Sequence, residues 1–230
     1  MVNYLKLRPK NLNSPEFRHL WLLLFWPIFG LLFSMVEKDV FNPVYTAVHS
    51  PLDDMIPFCE WFMIPYMFWF VFLVGMIAYL LLFDVPAFRR FQYFVMLTYG
   101  VTMLVYIIYP TKQELRPEVF PRDNFMTRFI ANFYAFDTNT NVCPSLHVVG
   151  SMAVAFGAWD TERFRKPVWK TLFMGMALLI SISTVFVKQH SIVDVFWAMV
   201  LCLTAYVVVY RIPWKSSARA ASRELAAEHE

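Results

Sequence analysis

Two apolar runs, each of about twenty residues and long enough to cross a bilayer, meet at residues 183–194. Inside hydrocarbon every backbone polar group has to be satisfied within the chain, so runs of this kind are helices. At the junction Lys188, Gln189, His190 and Asp194 fall within seven residues. If helix resumes at the histidine, His190 and Asp194 lie one turn apart and face each other. The sequence thus sets a carboxylate-held histidine beside a cation at a membrane boundary, where ionisable side chains mark function.

The rest of the chain repeats the pattern. Of 230 residues 59% are hydrophobic and 19% aromatic, with a mean hydropathy of +0.49, well above a soluble domain. The reading is an all-α polytopic membrane protein of six spans in one domain, residues 17–212. A basic membrane-surface segment over 1–16 precedes it, and a polar tail over 213–230 follows. The spans are placed at 17–36, from about Pro65 to 83, 91–109, 144–159 (short), 168–187 and 191–212. The 110–143 connection is long, and loops of that length are often functional. Within it Asp123 is predicted to cap a helix through Phe136, with Phe125, Phe129, Ile130 and Phe133 at helical spacing; this helix is expected to lie on the bilayer surface. Cys59, Cys143 and Cys202 are too few and scattered for a disulfide framework or a zinc pattern. The net charge of +3 forms no stripe of the kind nucleic acid requires, so no nucleic-acid partner is expected.

Basic residues set the orientation. Fourteen of the 20 Lys and Arg fall on the side of both termini, which places the termini in the cytoplasm. Three polar clusters then share the outward face: residues 109–117, 143–147 and 183–194. Pro144 suits the first turn of a helix, leaving the amides of Ser145, Leu146 and His147 to cradle an anion, with the Ser145 hydroxyl as a further donor. Lys112 and Arg116 supply positive charge for a phosphate. His190 is a candidate nucleophile or base oriented by Asp194, and His147 is a second acid/base group.

In order and spacing these clusters resemble the signature motifs of the type 2 phosphatidic acid phosphatase superfamily, six-span lipid phosphatases and phosphotransferases. The family patterns are Lys-x6-Arg-Pro, Pro-Ser-Gly-His and Ser-Arg-x5-His-x3-Asp. This chain has Arg116-Pro117, Pro144-Ser145-Leu146-His147 and Ser183-Thr184-x5-His190-x3-Asp194. The resemblance implies phosphoryl transfer through a phosphohistidine without metal or cofactor, on a lipid phosphate in the bilayer. His190 is then the nucleophile, Asp194 its orienter, and His147 the acid for the leaving oxygen. Arg116, Ser145 and the helix-start amides bind the phosphoryl oxygens. Three positions depart from the pattern: Tyr109 stands where the family has Lys, Leu146 where it has Gly, and Thr184 where it has Arg. Lys112 is displaced toward Arg116, and Lys188, four residues after Thr184, is the expected substitute for the missing arginine. Pro-Ser-Leu-His with Lys-Gln-His is similar to the inositol phosphorylceramide synthase branch.

The expected activity is hydrolysis of a lipid phosphate or diphosphate ester on the extracytoplasmic side. Transfer of a phosphoryl-headgroup to a lipid alcohol is one alternative, and a non-catalytic lipid-binding or transport protein on the same scaffold is another. A metal site built from His147, His190 and Asp194 is disfavoured by Arg116 and Lys188. Glu60 reads as an interfacial or satisfied buried carboxylate, and His19 and His49 as interfacial.

Overall fold

The computed structural model describes residues 2–38, 40 and 44–212; the polar tail expected over 213–230 lies outside them. Eight α-helices are described: α1 Phe25–Glu37, α2 Pro51–Met55, α3 Met63–Phe83, α4 Val85–Ile108, α5 Phe125–Phe136, α6 Leu146–Asp160, α7 Pro167–Phe186 and α8 Ile192–Tyr206. A 3₁₀ segment, Arg18–Leu24, leads into α1, another, Glu60–Phe62, leads into α3, and a π turn, Val207–Arg211, extends α8. Five of the resulting segments are long and apolar enough to cross a membrane: Arg18–Glu37, Glu60–Phe83, Val85–Ile108, Pro167–Phe186 and Ile192–Arg211. The chain therefore has the character of an integral membrane protein.

α6 is shorter, at 15 residues, and it forms the centre of the bundle. Every residue from Val148 to Ala158 is buried, and α3, α4, α7 and α8 pack around it. Its sequence explains this position, because Gly150, Ser151, Ala153, Ala155, Gly157 and Ala158 let neighbouring helices approach closely. Gly157 is an obligate case: a β-carbon there would lie 2.9 Å from the Phe91 ring. At its C-terminal end α6 is pinned to the start of α4. Arg90 Nε donates to Asp160 Oδ2 at 2.6 Å, and the Thr161 hydroxyl donates to Asp84 Oδ2 at 2.8 Å.

Several boundaries differ from expectation for identifiable reasons. α4 begins at Val85 rather than near residue 91, because Asp84 accepts from the Ala87 amide as its N-cap and Pro86 preorganises the first turn. α3 begins before Pro65, which the first turn of a helix accommodates. The loop helix is capped by Asn124, not Asp123; Asn124 Oδ1 accepts from the amides of Met126 and Thr127 at 3.0 Å, while Asp123 pairs with Arg128. Pro144 lies just outside α6, after a cis peptide bond, and Ser145 is the N-cap. His19 is buried, with its Nε2 2.8 Å from the Tyr4 hydroxyl. Glu60 is a satisfied buried carboxylate, held by Arg122 Nε and Nη2 at 2.8 and 2.7 Å and by Asn124 Nδ2 at 2.9 Å.

A parallel pair of two-residue strands, β1 Thr46–Ala47 and β2 Thr111–Lys112, ties the loop after α1 to the loop after α4. Lys112 also bridges to Thr140. The long connection is thus laced to its neighbours at the end of the bundle where α6 starts.

Candidate functional site

The start of α8 is built from two carboxylates. Ser191 is its N-cap, and the Asp194 carboxylate folds back to accept from the Ser191 amide at 2.9 Å. The same oxygen, Oδ2, lies 3.3 Å from His190 Nδ1. The sequence-predicted pair is therefore assembled, and it leaves Nε2 as the ring nitrogen not facing Asp194. Asp53, from α2, is fully buried beneath this turn. It accepts from the Ser191 hydroxyl at 2.6 Å and from the Ile192 amide at 2.8 Å. A carboxylate at a helix N-terminus offsets the unpaired amides there, so Asp53 anchors the His190 turn.

His147 comes from the first turn of α6. Its ring lies between Tyr66, stacked with centroids 4.1 Å apart, and Trp69 at 4.5 Å, and the His190 ring is 5.9 Å away. His147 Nε2 is buried without a hydrogen-bond partner. Both histidines line one cavity of about 320 Å³ together with Leu146, Gln189, Glu37, Asp137 and a wall of aromatic rings. An unpartnered nitrogen in such a place is a position for a ligand or reacting group to fill.

The cations lie elsewhere. Lys188, expected to replace the missing arginine, turns away from the cavity: Nζ donates to the Asp53 and Ile56 carbonyl oxygens at 2.7 and 2.6 Å. Its backbone adopts φ 53°, the left-handed conformation that ends α7, and this sends the side chain toward α2. Burial lowers its ammonium pKa, against the pull of Asp53 and Asp54. Lys112 pairs with Glu114 at 2.5 Å. Arg116 is half buried and spends its donors on Gln189 Oε1 and on the carbonyls of Tyr134, Asp137 and Thr138, with its guanidinium 4.4 Å from the Tyr134 ring centre. None of these three cations lines the cavity. Nor does Ser145, whose amide donates to the Asp194 carbonyl at 3.3 Å and whose hydroxyl accepts from Val148 at 3.5 Å.

Asp137 and Gln189 enter the site in their place. Gln189 accepts from Arg116 through Oε1 and donates through Nε2 to Asp137 Oδ2 at 2.9 Å, where the Tyr66 hydroxyl also donates at 3.2 Å. Burial pushes the Asp137 carboxyl above the ordinary carboxylate range, opposed by the charge of His190, the Tyr66 hydrogen bond and Arg116. Nothing in the local sequence marks Asp137. Its importance depends on the fold of the 110–143 connection, which brings it to Gln189 across 52 residues. Among the described residues no group of three His, Cys, Asp or Glu is arranged to hold a metal ion.

Comparison with curated proteins and with solved structures gives no match. One family model does match, that of the PAP2 superfamily, over residues 91–218, more than half of the chain and inclusive of both histidines, Asp194 and Arg116. The chain belongs to the PAP2 superfamily.

Proposed function

We propose that this protein is a membrane lipid-phosphate phosphatase working through a phosphohistidine. Membership of the superfamily points to phosphatase-type chemistry. The observation that carries the finer reading is the pairing, across one cavity, of an Asp194-held His190 with the unpartnered Nε2 of His147. In this mechanism His190 Nε2 forms a bond to phosphorus as the lipid oxygen leaves. Asp194 holds the Nδ1 proton and stabilises the developing imidazolium charge. His147 gives its proton to the leaving oxygen, then takes one from the water that cleaves the N–P bond and regenerates His190. Arg116 contributes positive potential from behind Gln189. α6 serves as the sixth, short span, α5 as a surface-lying helix, and the basic residues place both termini in the cytoplasm and the site outside. Purified protein assayed on a panel of lipid phosphates should release phosphate and trap acid-labile label on the chain. His190→Ala should do neither, and a His190→Ala protein with normal turnover would falsify the mechanism.

One observation favours a second reading. Glu37 and Asp137 line the cavity while none of the three expected cations does, a poor setting for a dianionic monoester. A phosphodiester with a single negative charge meets less repulsion, which favours transfer of a phosphoryl-headgroup to a lipid alcohol. Label recovered in a new lipid rather than in water-soluble product distinguishes transfer from hydrolysis.

A further inference from the structure

The Asp194 carboxylate is engaged on one oxygen only. Oδ2 accepts from the Ser191 amide and faces His190 Nδ1, whereas Oδ1 is buried and no N–H or O–H donor reaches it. A fully buried carboxylate oxygen without a donor is costly. What stands against this carboxylate is the Cys143 thiol. The segment carrying it is fixed from two sides. The Cys143 amide donates to Thr111 Oγ1 at 3.0 Å, and the Ser145 amide donates to the Asp194 carbonyl oxygen at 3.3 Å. Burial first, then the charge and hydrogen-bonding of Asp194, pushes the thiol up to about 12, so it keeps its proton at neutral pH. Tyr106 of α4 lies near both groups as well, but its hydroxyl is committed to the Pro144 carbonyl at 2.7 Å. His147 and Asp137 act on His190 and complete the titratable surroundings of the pair. Cys143 also lines an open groove of about 670 Å³ between α4 and α8, walled by Val101, Val105, Val193 and Trp197. Asp194 follows Val193 and is itself fully buried, so the cysteine stands between that groove and the carboxylate.

We propose that Cys143 is a positioning residue whose S–H donates to Asp194 Oδ1, fixing the carboxylate and moderating its pull on the Nδ1 proton of His190. The consequence for turnover rests on the phosphohistidine reading; the contact itself does not. The plainer role for a buried thiol is that of a small hydrophobe filling space, and the two roles differ only in the proton. A donor on Oδ1 draws off part of the carboxylate's charge. Without it His190 Nδ1–H faces the full charge, and the imidazolium holds its proton to higher pH. Because only the neutral ring can attack phosphorus, the acid limb of activity moves with it.

The test follows isotope-labelled histidine resonances against pH in detergent, with His190 identified by its loss in His190→Ala. Cys143→Ala is expected to move the His190 midpoint up by about half a pH unit. On the lipid phosphate that the wild type turns over fastest, it is expected to lower kcat by about three- to tenfold at unchanged KM. Cys143→Ser keeps a donor and is expected to restore both readings to within about twofold of the wild type. Cys143→Val keeps the volume without the proton; it should behave as alanine does, and it replaces alanine if that variant fails to fold. A midpoint unmoved without the donor, or moved equally by serine, overturns the proposal. Failure of the wild-type protein to turn over any lipid phosphate overturns the proposed function and leaves the His190 titration decisive for Cys143.

Discussion

Lys188 and Asp53 meet back to front. The ammonium rests 2.7 Å from the Asp53 carbonyl oxygen, while the Asp53 carboxylate turns the other way to hold the Ser191 hydroxyl and the Ile192 amide. Two buried groups, one from α2 and one from the turn after α7, thereby fasten the His190 segment to α2.

From this follows the behaviour of Lys188 variants. Lys188→Ala leaves two carbonyl oxygens without their charged donor and should lower stability by about 2 kcal/mol. Lys188→Gly loses the same contacts but relieves the left-handed backbone, recovering about 1 kcal/mol of that. Thermal unfolding in detergent gives both values. A variant that melts like the wild type yet binds phosphate poorly would return Lys188 to the role of a phosphate cation.

Arg116 makes its contacts through a planar fork of five donors, which lysine cannot reproduce. Arg116→Lys should loosen the α5–α6 connection and Gln189 together, at a cost of about 1–3 kcal/mol in stability. Turnover should fall with it. Loss of turnover with an unchanged melting temperature would mean that the guanidinium contacts substrate directly.

Asp137 gives a pH-dependent prediction. Its folded pKa is raised above the ordinary value of 3.8 by burial, so its ionised form weakens the fold. The penalty is absent below the unfolded value, grows as pH rises through the raised folded value, and is complete above it. Asp137→Asn keeps an oxygen for Tyr66 and Gln189 but carries no charge. It should melt above the wild type at neutral pH, with the difference closing toward pH 3.8. The same variant should bind a dianionic phosphate more tightly. A constant difference across the range would mean that the carboxylate's charge is not what matters.

Two glycines separate packing from helix propensity. At Gly157 an added methyl meets the buried Phe91 ring at 2.9 Å and Leu80 at 3.4 Å, whereas at Gly175 on α7 nothing lies within 4 Å. Gly157→Ala should lose about 1–2 kcal/mol because overpacking exceeds the propensity gain. Gly175→Ala should gain up to about 1 kcal/mol. Melting temperatures that shift in the same direction would refute the close packing of α6.

The membrane character of the chain and the nearness of His190 to Asp194 were legible because they rest on long apolar runs and a four-residue separation, and the convergence of the two histidines because the span count and basic residues put their clusters on one face. The helix, however, resumes at Ile192 with Ser191 as N-cap, not at the histidine, so His190 lies outside α8 and meets Asp194 because that carboxylate folds back over the cap. Cation placement was not legible. Lys188 and Thr184 do sit one turn apart, but the chain leaves α-geometry at Lys188, and a single positive φ reverses where its side chain goes. Asp53 and Asp137 were overlooked for a related reason: their partners lie 138 and 52 residues away, and only tertiary structure supplies them. Leu146 stands where the resemblance expected glycine, and the structure uses it as part of the cavity wall.

The shortness of α6 has a consequence for how a lipid arrives. Its 15 residues rise about 22 Å, less than a hydrocarbon core of about 30 Å. Asp160 and Thr161 hold its far end to the start of α4. With α6 as the sixth span of the proposed function, the shortfall would fall at the His147 end and the histidines would lie beneath the plane where lipid phosphates rest. A headgroup reaching them would then have to leave its aqueous layer and descend between the helices, which would make desolvation of the phosphate the step that admits one lipid and refuses another.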